Sequence, residues 1–540
     1  MITEKTYKWV EELLDPKVTE ISDEDYDRLV ENYFRVDKTD WFEEDDTRIW
    51  KDQKQVSDFW SLIRKFSMPI GKKRKLYDFS YFNFPEIDYV ENNNFYDRNE
   101  KSIFDEKVFF NGAIFLDIMQ FSMTIFTKEV EFKRVKFHDL YIINSEFRKS
   151  VIFDNSQYLS LTVSNSSFNE DSYFRNNIFN NEFNFNNNTF TGLVWFNESN
   201  FLSKTYFDNI TFLDNRVIFN EVEFNDDIEF YKCIFYREAQ FTPTFFSKKV
   251  ELIQCEFWDD VHFNQSQFNG ITVFDKPIFK KKADFSFCYF EDINLKEINT
   301  NWQYRENNYT EPAELYFRDV FFNSKTFFKN SDLTKLELDN CDVSNITFSR
   351  CIWNDEKNRL KLVNELPIQS LEAKNKLKLA NHHPSKKEET QKLIDKLRDS
   401  ENHYRQLKKN FDSTKSWELS GKAYVSEMEM RKRRLYLEGK LYQWAIYKFY
   451  DVFGGYTQDF RKPIVSIFKL IFAFSTIYFF IDYNVLNAIQ RGIKGALPYM
   501  EIGIEDPFTG FWLIPRNIEL VLGGTFLAFF ILALRKRFKQ

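Results

Sequence analysis

The residues best placed for chemistry lie near the C-terminal end. Glu501, Gly503, Glu505, Asp506 and Glu519 fall within or beside a loop between two apolar stretches. Carboxylates gathered at such a place attract cations, and rings of them give a pore its charge preference. Glu501, Glu505 and Asp506 can equally be solvated loop charge. Glu519 stands near the outer end of the second stretch, either facing an aqueous path or sitting at a lipid–water boundary. Gly523-Gly524, in the first third of that stretch, is a candidate hinge because paired glycines let a helix bend. Enzyme signatures are missing: there is no G-x-S-x-G elbow, no phosphate loop of the G-x-x-x-x-G-K-[ST] type and no H-E-x-x-H. His138 and His262 adjoin periodic bulky residues that should point inward, so they are expected outside. His382 and His383 are neighbours in a Pro-containing segment, and His403 is isolated. No enzyme, cofactor or metal site is expected.

The two apolar stretches must position those carboxylates. Ile464–Ile481 carries a single charge, Lys469, near its start. Eighteen residues of helix extend about 27 Å, enough to cross a hydrocarbon core. Ile518–Leu534 is a second stretch. Arg461 and Lys462 precede the first, and Arg535, Lys536, Arg537 and Lys539 follow the second. Basic flanks stay on the cytoplasmic side, so the expectation is a two-helix hairpin in the plasma membrane with both termini in the cytoplasm. Val485–Ile489 is a candidate re-entrant helix between the spans. Trp444, Tyr447, Tyr450 and Phe453 recur at helical spacing before the first span, as in a helix lying along the membrane surface. The N-terminus is polar and lacks a signal-peptide core.

Phenylalanine organises the middle of the 540-residue chain, which holds 64 of them. From Phe115 to Phe290 a bulky residue returns after five residues and then six, as at Phe121, Phe126, Phe132 and Phe137. That double step fits neither a helix nor an alternating strand. It predicts stacked coils of about 22 residues, each burying its rings only against its neighbours. Two positions before many of these residues sits a small or β-branched one, such as Ser145, Ser172, Val194, Thr205 or Ala283. Cys233, Cys255, Cys288, Cys341 and Cys351 all obey that rule, which favours buried small hydrophobes over ligands. Cys233 and Cys255 are one presumed coil apart, so a disulfide between them stays geometrically open. Asn169, Asn180, Asn186, Asn197, Asn220, Asn225, Asn264 and Asn269 follow bulky centres and suit left-handed corners.

This pattern resembles the pentapeptide-repeat family in a Phe-centred variant, over roughly residues 100–353. Ser331-Asp332-Leu333-Thr334-Lys335, then Leu338, Val343, Phe348 and Trp353, is nearer the plain five-residue form, and an outer-loop insertion is expected near 299–314. The resemblance implies a right-handed quadrilateral β-helix of about ten coils, rising about 45–55 Å. The C-terminal order of span, short helix, irregular segment and span resembles the two-transmembrane pore module of ion channels. Together with Glu427–Arg431 and the segment Tyr456–Pro463, it also resembles the membrane tail of bacterial pentapeptide-repeat proteins with channel-like ends. That likeness implies a homotetramer. No Thr-Val-Gly-Tyr-Gly run is present, Ile502-Gly503-Ile504 being only a faint echo, so potassium selectivity does not carry over.

The expected fold is therefore mainly β with α caps: the β-helix, then a helical hairpin and two transmembrane helices. Residues 1–75 read as an acidic helical cap, either simply solvated or a dock for a basic partner, and 76–353 as the β-helix. Residues 354–384 read as a linker, 385–440 as the hairpin, 441–462 as the juxtamembrane helix and 463–540 as the two-span tail. The run Arg431-Lys432-Arg433-Arg434 is expected on an exposed face, either meeting anionic lipid or marking the cytoplasmic side. With 74 basic and 82 acidic residues the chain lacks the charge of a nucleic-acid binder. Two readings of function follow. One is a membrane-embedded, channel-like protein, non-selective or cation-preferring, with a cytoplasmic sensor rod. The other is a membrane-anchored scaffold whose rod recruits a cytoplasmic protein partner without conducting ions.

Overall fold

The computed structural model describes residues 2–41, 52–67, 76–85, 102–298, 314–323, 326–344, 346–356, 358–365, 368, 386–497 and 513–538. Its contacts divide into two units, Met1–Ile352 and Trp353–Gln540.

The first unit is a parallel β-solenoid. Each short strand pairs in register with the strand one coil earlier and one coil later. Phe115 pairs with Phe137, that residue with Tyr158, and so on through Phe179 and Phe201. Two sides of the coil form continuous sheets of twelve and nine strands, and long strands such as Gln157–Ser164 and Tyr289–Lys296 turn the corner between the other two. Rings stack along the axis because the backbone repeat brings them there. Phe110, Phe132, Phe153, Phe174, Phe196, Phe219, Phe241 and Phe263 form one column with centroids 4.7–4.9 Å apart. That interval is the ordinary spacing of neighbouring strands.

The position two before the rings is buried as expected along the stack, although Cys351, before Trp353, is only half-buried, and the structure adds a reason for its composition. Ser156, Ser199, Thr244 and Ser266 donate their hydroxyls to the carbonyls of Phe132, Phe174, Phe219 and Phe241 in the preceding coil, at 2.5–2.8 Å. Cys233, Cys255 and Cys288 place thiols against Phe207, Phe230 and Phe263 carbonyls in the same way, at 3.0–3.2 Å. All five cysteines are free thiols, so Cys233 and Cys255 form no bridge.

The corners differ from expectation. None of the eight asparagines that follow bulky centres is left-handed. The positive-φ residues come one position later, at Asn144, Asn155, Asn165, Asn176, Asn187 and Asn209, then Glu221, Lys232 and Gln254. The chain reverses there, just before the small buried position, and Asn lowers the cost of that conformation. Successive corners also bond to one another: the Asn176 amide donates to Asn155 at 2.8 Å. The insertion expected near 299–314 falls almost wholly outside the described residues.

Helices cover the first coil. Helix α1 (Glu4–Leu13) buries Val10 and Leu13, and α2 (Asp23–Leu29) runs on as a wider turn through Phe34. Helix α3 (Gln53–Leu62), not anticipated from sequence, brings Phe59 and Trp60 against Phe84, while Phe34 stacks on Phe82 at 4.8 Å. Lys38 is fully buried here and donates to the carbonyls of Tyr33, Val36 and Phe34 at 2.7, 2.9 and 3.2 Å. It thereby satisfies groups that a helix end leaves open. Burial pushes its ammonium well below the usual lysine value.

The second unit is helical. Helices α4 (Lys386–Ser413) and α5 (Trp417–Leu437) form the expected hairpin, reversing at left-handed Lys415. Leu393, Leu397, Tyr404, Leu407 and Phe411 line the buried face of α4, as read from sequence. Part of the expected linker is not loose chain. Leu360 and Leu362 are buried, Arg359 and Glu365 pair at 2.6 Å, and Tyr404 donates to Glu365 while accepting the Leu362 N–H at 2.8 Å.

Candidate functional site

Four elements build the tail. Helix α6 (Leu441–Gly454) ends at left-handed Gly455, and α7 (Arg461–Asp482) and α9 (Leu513–Phe538) are each long and apolar enough to cross a membrane. Helix α8 (Val485–Ala496), wider than the Val485–Ile489 segment expected, starts from Asn484, whose side chain accepts two N–H groups of its first turn. Small residues let α8 sit tightly against both long helices. A Cβ on Gly492 would collide with the Ser475 hydroxyl of α7, and one on Gly495 with the Glu519 carboxylate of α9. On the other side, a Cβ on Gly523 would strike the backbone of Ala496.

Glu519 is thereby enclosed, with no exposed surface, and accepts the hydroxyl of fully buried Tyr478 at 2.6 Å. Arg491 of α8 is also buried, at 9 % exposure, as is Ser475. A carboxylate and a guanidinium buried in an apolar helical cluster are costly unless bonded, which makes this the candidate site. Nearby, Ile467, Leu470, Ala496 and Phe526 form one apolar core, and Phe449 and Phe453 of α6 lean on it.

The outer surface of the same cluster is apolar. Phe468 and Phe472 of α7 are 68 % and 77 % exposed, and Val521 and Ile531 of α9 are exposed as well. On α6 the half-buried aromatics Tyr450 and Phe453 face α9, through Phe529 and Phe526. The outward stripe of that helix is instead Leu441, Tyr442, Ile446 and Val452. The aromatic spacing read from sequence therefore marks its inner face.

Of the residues singled out from sequence, Glu501, Gly503, Glu505 and Asp506 lie outside the described residues. Glu519, Gly523 and Gly524 are described. Helix α9 runs continuously through both glycines; Gly523 packs on Ala496, and Gly524 has open space around it. Tyr478, Arg491, Gly492 and Gly495 were missed. The usable signal was the glycine pair three apart on a short helix beside two apolar spans, together with an arginine at its centre.

The basic run on α5 is not the exposed patch expected. Arg431 and Arg434 both pair with Glu401 of α4, at 2.8 and 2.9 Å, and Lys432 reaches Asp451 of α6 at 2.7 Å. Arg433 pairs with Glu429 at 3.1 Å. The run cross-links the helices instead of presenting charge. Although burial alone would raise it, Lys432 and then Lys462 hold the Asp451 carboxyl below its usual value.

On the solenoid, a groove of about 520 Å³ crosses one outer side, lined among others by Glu182, Tyr206, Asp208, Glu229 and Tyr231. Glu229 lies beside Glu251 in the parallel register, and burial, then that neighbour and Asp208, push its carboxyl up. Among the described residues no group of three or more His, Cys, Asp or Glu side chains is arranged to hold a metal. Comparison with protein-family models, with curated proteins and with solved structures returned no match.

Proposed function

We propose that this chain is a membrane-embedded, channel-like protein whose β-solenoid is a cytoplasmic sensing or interaction rod. The observation that carries the reading is the packing of α8 between two membrane-length helices, around a buried carboxylate, arginine and tyrosine. A short helix held between two spans is how pore modules brace the segment that meets the ion, and polar groups sealed in lipid are retained for transport or assembly. One chain with two spans cannot enclose a path, so the working form is a closed homo-oligomer, a tetramer by resemblance. Glu501, Glu505 and Asp506 then supply acidic rings that favour cations.

The test is electrical. Purified protein in a planar bilayer should pass current, and Glu501→Gln/Glu505→Gln should lower its preference for cations. Current with unchanged preference removes the acidic rings and leaves the pore. Silence at all voltages, or a monomer in detergent, removes the pore.

A second reading is favoured by two observations. Glu519 is enclosed within a single chain, and the solenoid carries an acidic, tyrosine-lined groove. In that reading the tail only anchors, and the groove recruits a basic protein segment. Glu229→Lys would then abolish partner recovery while leaving membrane insertion intact.

A further inference from the structure

We propose that a pocket at the basic end of α9 holds the phosphate group of an anionic lipid. A cavity of about 340 Å³ opens between α4, α5, the turn after α6 and the last turns of α9. Lys408 of α4 and Lys536 of α9 each place an ammonium 4.8 Å from the centroid of the Tyr424 ring. The two charges are therefore separated by no more than twice that distance, with one aromatic ring beside both. Like charges so close repel unless a counter-charge joins them.

The surroundings do not supply enough of one. The four cations Arg431 to Arg434 all have carboxylate partners, whereas among the described residues Lys408 and Lys536 have neither an ion pair nor a hydrogen bond. Asp412 lines the same pocket, but its carboxylate is engaged by the Ser420 hydroxyl at 2.5 Å, and one acid against two ammoniums leaves the cavity positive. Neutral donors complete the lining: the indole of Trp417 and the amide of Gln458. Gly421 keeps that amide in place, since a Cβ there would come within 2.5 Å of the Gln458 oxygen. Two ammoniums with N–H donors around a small cavity suit a phosphate oxyanion. Lys536 stands between Arg535 and Arg537 at the end of a membrane-length helix, where lipid headgroups lie and basic pockets between helices capture them.

The proposal rests on α7 and α9 lying in a bilayer, and the experiment reads that separately. Full-length protein, delipidated in detergent, is titrated with phosphatidylglycerol, with phosphatidylcholine and with inorganic phosphate, and bound lipid is counted by native mass spectrometry. Phosphatidylglycerol should bind preferentially. Lys408→Gln/Lys536→Gln should weaken it by tenfold or more, since each basic contact contributes on the order of a fivefold factor. Lys408→Arg/Lys536→Arg should retain it, as should Arg535→Gln, which lies outside the pocket. Equal binding by the double Gln variant overturns the proposal. So does competition by inorganic phosphate at lipid-like potency, which would reassign the pocket to a soluble anion. Carbonate-washed membranes should keep both wild type and double variant. Release of the wild type would sink the membrane reading itself, independently of the lipid count.

Discussion

The solenoid and the tail are built in opposite senses. In the solenoid, Phe196 is fully buried between Phe174 and Phe219, while Asn, Asp, Glu and Lys cover the outside. In the tail, Phe468 and Phe472 point outward, while Glu519, Tyr478 and Arg491 are inside. On the proposed membrane reading the same chemistry of burial operates in both, and only the surrounding medium differs. Water drives rings inward, whereas hydrocarbon leaves rings where they are and drives charge inward. The difference teaches that an interior has to be judged against its own solvent.

The largest effect that can break this comparison is loss of a stacked ring. Phe196→Ala should cost about 3–5 kcal/mol, read by urea unfolding of the solenoid, whereas Phe472→Ala in detergent should change stability by less than about 0.5 kcal/mol. Equal costs would mean that the tail also buries its aromatics against protein. Next comes the enclosed carboxylate. Glu519→Ala should cost about 3 kcal/mol in detergent by stranding buried polar partners, and Tyr478→Phe about 1.5 kcal/mol by removing a bond to a carboxylate. Thermal unfolding in micelles measures both, and a neutral Glu519→Ala would refute the inverted interior.

Two adjacent glycines sharpen the picture. Gly523→Ala should cost about 1–3 kcal/mol because the new methyl meets the α8 backbone. Gly524→Ala has free space and should stabilise by up to about 1 kcal/mol through helix propensity. If the two behave alike, α8 does not pack where described.

The smallest effects are in pH. The depressed Asp451 carboxyl adds stability that is complete above the unfolded value near 3.9 and fades as pH falls through its folded value. The raised Glu229 carboxyl has the reverse sign: the fold gains as pH falls through its folded value toward the ordinary value near 4.3. Thermal midpoints against wild type should therefore differ in sign: Asp451→Asn lies below wild type and rejoins it as pH falls below about 3.9, whereas Glu229→Gln lies above wild type and rejoins it as pH falls toward about 4.3.

Sequence made the solenoid readable because every coil repeats the same constraint. The ring period and the small residue two earlier depend only on neighbours one coil away. The left-handed corners were misplaced by one residue because Asn is frequent at both positions, and composition alone does not separate them. The basic run Arg431 to Arg434 looked free because Glu401 and Asp451, which neutralise it, come from other helices. In the tail, the two long apolar helices followed from hydropathy, and the short helix was read only over its first five residues. The enclosure of Glu519 did not, since it depends on three glycines brought together from two helices.

The long interval between Phe285 and Phe317 has a consequence of its own. Those rings still stack at 4.9 Å, and Leu315 pairs with Ala283, although the chain between them is about ten residues longer than in other coils. Closure of this coil is thus met by its two anchoring ends, with about ten additional residues between them. Such a seam is where new recognition sequences can be grafted, by evolution or at the bench, without renumbering the rest of the stack.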